Sequence, residues 1–89
     1  MEELKQLILE KSEEIEDLLQ EVEGIIGDIG EEIADYILDN DIVIKTKTKR
    51  KAFIKELFEK VLDNKTKSAI YINSSIDKIG KSMEDVLSE

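Results

Sequence analysis

The stretch EGIIGDIGEE, residues 23–32, places three glycines three residues apart inside an otherwise strongly helical sequence. A glycine in a helix interior costs roughly 1 kcal/mol relative to alanine, so three of them weaken a continuous helix. Asp28 and Glu31 also have the spacing of a capping box, which is typical of a helix start. We therefore predict a break, with one helix over residues 2–23 and a second over 28–39, and one bent helix as the alternative.

The three glycines do not match a binding motif. On a helical wheel they fall mainly among acidic residues, opposite a cluster of isoleucines. A small-residue packing seam would place them on the apolar side, so the pattern argues against a seam. Their spacing is not the nucleotide-binding GxGxxG, and no predicted strand precedes them. The clustered residues are Ile25, Ile26, Ile29, Ile33 and Ile37.

Apolar residues on both sides of this stretch keep the period of an amphipathic helix. From Leu4 to Ile37 they recur at steps of three and four residues, which predicts helix and not strand. If residues 2–39 formed one helix, it would be about 57 Å long.

The second half of the chain begins with DIVIKTKTKRK, residues 41–51. Its β-branched residues alternate with lysines, which predicts an extended connector over residues 41–49. Two further helices are predicted over 50–62 and 67–79. Gly80 either stops the last helix or lets it continue towards the C-terminus.

Charge is divided unequally between the two halves of the chain. Residues 1–44 hold 15 acids and two bases, whereas residues 45–89 hold seven acids and 11 bases. Opposite charge therefore favours contact between the halves, within one chain or between two copies.

These patterns predict a single domain over residues 1–89, too short for more than one core. It comprises an acidic helical half (1–40), a basic connector (41–49) and a second helical half (50–89). We expect an all-α or nearly all-α antiparallel bundle of about four helices, in a dimer. The acidic N-terminus and the absence of a long apolar run predict a soluble cytoplasmic protein that does not enter membranes.

Catalysis has little support in the sequence. The chain has no histidine and no cysteine, so the usual general base near neutral pH and the thiol nucleophile are both missing. The sequence starting at Asp39 fails as a calcium loop, because its sixth position lacks glycine and its twelfth is Arg50. We predict a non-enzymatic protein with no cofactor, no metal and no small-molecule substrate.

Macromolecular binding is the function that these observations favour. Broad aliphatic stripes with few aromatic residues must be buried against each other or against a partner. We expect a regulatory, assembly or adaptor protein that binds a protein partner, itself, or both. The predicted partner-binding or oligomer face consists of Ile29, Ile33, Ile37, Ile72, Ile76, Ile79 and Met83.

DNA binding is a first alternative. IVIKTKTK, residues 42–49, followed by two helices, resembles the ribbon-helix-helix repressors and antitoxins, whose paired strands lie in the major groove. The resemblance implies that this stretch is the ribbon and that nucleic acid binds through residues 45–51. Residues 45–67 hold nine bases and three acids, which suits phosphate contacts. The candidate contacts are Lys45, Lys47, Lys49, Arg50 and Lys51.

Mimicry of nucleic acid is a second alternative. A rod with carboxylates along one face can occupy the binding groove of a DNA- or RNA-binding protein and inhibit it. The acidic first half of the chain is the feature that supports this hypothesis.

Overall fold

Four α-helices make up the structure, a computed structural model that describes residues 1–88. They are α1 (Glu2–Asp39), α2 (Lys47–Val61), α3 (Lys67–Ser74) and α4 (Ile76–Leu87). No strand occurs within residues 1–88, and the predicted all-α fold is confirmed.

α1 is a single helix of 38 residues, so the predicted break at residues 24–27 is wrong. Gly30 is buried against α4: a Cβ placed there would lie 2.4 Å from the Ile79 carbonyl oxygen and 2.8 Å from Ser82 Cβ. Glycine therefore allows the two helix backbones to approach more closely than any other residue would. Ser82 Oγ also donates a hydrogen bond to the Gly27 carbonyl oxygen at 2.7 Å. This packing by α4 offsets the helix-propensity cost that argued for a break.

The buried face of α1 differs from the face that the isoleucine cluster predicted. Its buried residues are Ile26, Gly30, Ala34 and Ile37, whereas Ile25 is 58% exposed. A close-packing seam is therefore present at Gly30, although the surrounding acids argued against one.

α4 is the central helix of the core, because α1, α2 and α3 all pack against it. α2 contributes Ile54 and Phe58, and α4 contributes Ile76, Ile79 and Met83. These side chains meet the buried residues of α1, so the core is aliphatic except for one phenylalanine.

The connector between α1 and α2 is shorter than predicted. It covers residues 40–46 and not 41–49, because α2 already begins at Lys47. Thr46 Oγ1 accepts a hydrogen bond from the Lys49 backbone N–H at 3.1 Å and so caps the new helix three residues earlier than the alternating pattern suggested.

A left-handed residue ends α1. Asp41 has a φ of 52°, and the Ile42 backbone N–H donates to the Ile37 carbonyl oxygen at 3.0 Å. This is the hydrogen bond of a Schellman motif, with aspartate in the position that glycine or asparagine usually takes. The chain therefore turns sharply at residue 41 and folds α2 back towards the core.

The C-terminal helix predicted over 67–79 is two helices. α3 ends at Ser74, Ser75 is a buried turn residue, and α4 starts at Ile76 and runs through Gly80 to Leu87. The change of direction at Ser75 brings the apolar face of α4 onto α1. Because a Cβ at Gly80 would meet nothing within 4 Å, this glycine neither stops the helix nor serves close packing.

The molecule is elongated, with principal extents of 59 × 32 × 19 Å. α2, α3, α4 and the C-terminal part of α1 form one compact region, which we call the head. The N-terminal part of α1 projects beyond it.

Candidate functional site

Residues 1–21, which are Met1 and the projecting part of α1, include no buried or half-buried residue. We call this segment the arm. It nevertheless carries large apolar side chains that are 44–61% exposed, where a helix in contact with a core would bury them. Six of them lie on one side of the helix: Leu4, Leu7, Ile8, Ile15, Leu18 and Leu19.

The apolar residues of the arm follow a seven-residue repeat. Ile8, Ile15 and Val22 lie seven residues apart, and the repeat continues to Ile29 inside the head. The intermediate positions are Leu4, Lys11, Leu18 and Ile25. Apart from Lys11, both heptad positions are apolar, which is typical of coiled coils, so the arm has the pattern of a helix that pairs with another helix.

Acidic residues of the arm lie mostly away from this apolar stripe. Six of its eight carboxylates occupy outer heptad positions, and only Glu14 and Glu21 border the stripe, both on the same side. The stripe is thus apolar apart from Lys11, while the opposite face is strongly anionic.

An open groove lies between α1 and α2 in the head. Its volume is about 630 Å³. Residues of α1, the connector, α2 and α3 line it, and most of them are apolar: Ile29, Ile33, Tyr36, Ile42, Phe53, Leu57, Val61 and Ile72. The groove exists because α1 and α2 both pack mainly on α4 and not on each other.

The groove and the arm form one continuous surface. Ile29, Ile33 and Tyr36, which form the α1 wall of the groove, lie on the same side of the helix as Leu4 and Leu18. This side is about a quarter turn away from the face that packs on α4. We call the whole feature, from Leu4 to Tyr36 with the groove, the apolar track.

The predicted partner-binding face is divided between the core and the track. Ile37, Ile76, Ile79 and Met83 are buried in the core of the subunit. Ile29, Ile33 and Ile72 line the groove. Sequence reasoning missed the arm as a site, although the seven-residue spacing from Ile8 to Ile29 was a usable signal for it.

The candidate cationic contacts also fall into two groups. Lys45, Lys47 and Lys49 are exposed and make no ion pair with any residue between 1 and 88. Lys51 pairs with Asp77, and this hydrogen bond lowers the pKa of the Asp77 carboxyl below its ordinary value. Arg50 has a structural role.

The Arg50 guanidinium joins three parts of the fold. Its Nη2 donates to Glu84 Oε2 at 2.9 Å, and its Nη1 donates to the Ile44 carbonyl oxygen at 2.6 Å. The Arg50 and Glu84 side chains are only 17% and 21% exposed. The two-pronged contact holds the connector and α2 against α4, and arginine suits it because its planar fork reaches two acceptors at once.

Within residues 1–88, no group of three or more acidic side chains has the arrangement of a metal site. None of the helices described combines the length and apolar character needed to cross a bilayer. The chain matches no protein-family model, no curated protein and no solved structure. The apolar track and the three exposed lysines are therefore the features on which a functional argument can rest.

Proposed function

We propose that this protein is a non-catalytic assembly or adaptor protein that binds another macromolecule through its apolar track. The observation that carries the proposal is the arm: residues 2–21 of α1 all lack burial while presenting a heptad repeat of large aliphatic side chains. Continuous exposed apolar surface on this scale marks an interaction site in a folded protein.

The energetics support the same conclusion. Completing the burial of a half-exposed leucine or isoleucine side chain is worth about 1 kcal/mol, so the six residues of the arm offer several kcal/mol to a partner. An arm without a partner gains none of this burial free energy. A helix of this length also has little stability of its own without packing, because most helical stability in proteins comes from tertiary contact.

A photo-reactive amino acid at position 8, on the stripe, tests the proposal in the source cell. We expect irradiation to attach a macromolecular partner covalently at Ile8. The matched control is the same amino acid at Gln20, which is exposed on the opposite face of the arm. Equal labelling at positions 8 and 20 would contradict the proposal, and a nucleic-acid-binding protein labelled from position 20, on the acidic face, would favour the mimicry hypothesis.

Nucleic-acid binding is a second candidate, favoured by the three exposed lysines at the start of α2. Lys47 and Lys49 already lie in the first turn of that helix. A ribbon over residues 42–49 therefore requires this turn to unwind and to pair with a second copy.

If duplex DNA binds at Lys45, Lys47 and Lys49, replacing all three with alanine should weaken binding uniformly across sequences. The slope of log affinity against log salt concentration should become shallower by about three, one unit for each lost phosphate contact. Fluorescence anisotropy with a labelled duplex measures both quantities. Lys65→Ala with Lys67→Ala is the control, and an unchanged slope in the triple variant would rule out these three contacts.

A further inference from the structure

We infer that the apolar track is covered by the α1 helix of a second copy, which runs antiparallel so that each arm lies in the groove of the other head. This inference rests on the proposed function and names its partner. Length, surface area, charge and steric access each support it.

The track requires a long helix as its occupant. From Leu4 to Tyr36 it extends about 50 Å along α1, at 1.5 Å per residue. α1 has 38 residues and carries a matching apolar stripe over the same span. A second copy therefore supplies an occupant of the right length and character, and two copies satisfy each other symmetrically.

The chain exposes more surface than a compact monomer of its mass, and such a dimer would bury the difference. The chain exposes 7068 Å², whereas a compact monomer of its 10.2 kDa mass exposes roughly 5,300 Å². The difference is about 1,750 Å² per copy, or about 3,500 Å² for a pair. Obligate homodimers bury about 2,000–5,000 Å² in total, so the excess matches one extensive interface between two copies.

Charge favours the antiparallel direction. Residues 1–25 hold nine acids and two bases, whereas α2 holds six bases and two acids. In a parallel pair the acidic arms would lie side by side, and so would the two basic helices. In the antiparallel pair each acidic arm runs beside the basic α2 of the other copy, so that opposite charges meet at the rim of the interface.

Steric access also favours the antiparallel direction of the two α1 helices. The C-terminal half of α1 carries the other three helices, so it cannot enter a groove in another head. No other helix of the same chain packs on the arm, because all residues of the arm are exposed. It is the part of α1 that can lie between α1 and α2 of a second copy.

The heptad repeat limits the possible registers, and the one centred where the arm meets the head is tested with introduced cysteines. When Leu18 faces Val22 of the other copy, Ile15 faces Ile25 and Leu4 faces Tyr36. Each of these layers joins one heptad position to the other, as antiparallel pairing requires. The same register sets Ile8 against Glu32 and Lys11 against Ile29, so its other layers each hold one charged side chain. The stripe of one arm thus meets first the stripe and then the groove of its partner.

Because the chain contains no cysteine, introduced cysteines report these contacts directly. We would mix Ile15→Cys with Ile25→Cys, and separately Leu4→Cys with Tyr36→Cys, and then oxidise. In both mixtures the disulfide between the two different variants should predominate over disulfides between identical chains. Gln20→Cys, on the outer face, should give no disulfide.

The mass in solution provides a second readout. The wild-type protein should have twice the chain mass of 10.2 kDa by light scattering, and Ile15→Asp on the stripe should halve it. Gln20→Asp, the matched control on the opposite face, should leave the dimer intact.

Two results would overturn the inference. Predominant disulfides between identical Ile15→Cys chains would show parallel pairing, and a wild-type monomer without disulfides in either mixture would show that a second copy does not cover the track. In the second case, labelling of a different macromolecule from position 8 would leave the proposed function standing. Absence of both labelling and pairing would remove the proposed function as well.

Discussion

Replacing Gly30 with alanine is expected to lower the free energy of unfolding by about 2–3 kcal/mol, a large effect for the addition of one methyl group. The new Cβ would lie 2.4 Å from the Ile79 carbonyl oxygen and 3.0 Å from the Met83 backbone nitrogen. Both atoms belong to the α4 backbone, so no side-chain rotation can relieve the clash. The two helices would have to separate, and the core around Ile79 would lose contact.

Gly24→Ala is the matched control for this change. It makes the same substitution in the same helix, but a Cβ at Gly24 meets nothing within 4 Å. Since alanine is the better helix former, Gly24→Ala should raise the free energy of unfolding by about 0.5–1 kcal/mol. Urea denaturation at one fixed protein concentration compares the variants, and equal effects at the two positions would contradict close packing at Gly30.

Arg50→Met is expected to cost about 2–3 kcal/mol of folding stability, because it leaves two polar partners half-buried and unpaired. The methionine side chain keeps much of the apolar stem and removes only the guanidinium. Glu84 then loses its counter-ion and the Ile44 carbonyl oxygen loses its donor. Arg50→Lys should recover only part of the loss, since an ammonium group cannot bridge both acceptors in the same geometry.

Lys51→Met is the control, one residue further along the same helix. It removes an ion pair whose partner, Asp77, is 86% exposed, and exposed pairs contribute little to stability. Thermal unfolding should therefore separate the two variants clearly. Comparable losses from Arg50→Met and Lys51→Met would mean that the contact of Arg50 with Glu84 and Ile44 does not hold the head together.

The helical character of this chain could be read from the sequence, but the continuity of α1 could not. The step of three and four residues from Leu4 to Ile37 is a local signal, and α1 follows it throughout. The three glycines are also a local signal, and they predicted a break. What overrides them is Ser82 and its neighbours in α4, more than 50 residues away in the chain, and only the fold shows that contact.

The start of α2 was predicted wrongly and that of α4 was not predicted, because local sequence alone did not show where these helices begin. Thr46 is a good N-cap residue, but the alternation of lysines with threonines concealed its role and moved the predicted helix start to residue 50. Ser75 divides one predicted helix into two because α4 has to present Ile76 and Ile79 to α1. At residues 47–49 the local pattern predicted extended chain where a helix capped by Thr46 begins, and at Ser75 packing on α1 decided where the last helix begins.

The candidate site was predicted only in part. Ile29, Ile33 and Ile72 were expected on a partner-binding face and do line the groove. The arm was not singled out, because a stripe in a sequence does not show which part of it the rest of the chain will cover. Arg50 was expected to contact nucleic acid, and its burial beside Glu84 could not be read from charge alone.

The exposure of all 21 residues of the arm has a consequence for how long a solitary chain survives in a cell. A helix without packing frays, and frayed termini are the preferred sites of proteolytic cleavage. Cleavage there would remove the arm and spare the compact head, and on the proposed function the remaining fragment would no longer bind a partner. On the same proposal, degradation would act first on copies without a partner, and binding would protect the rest.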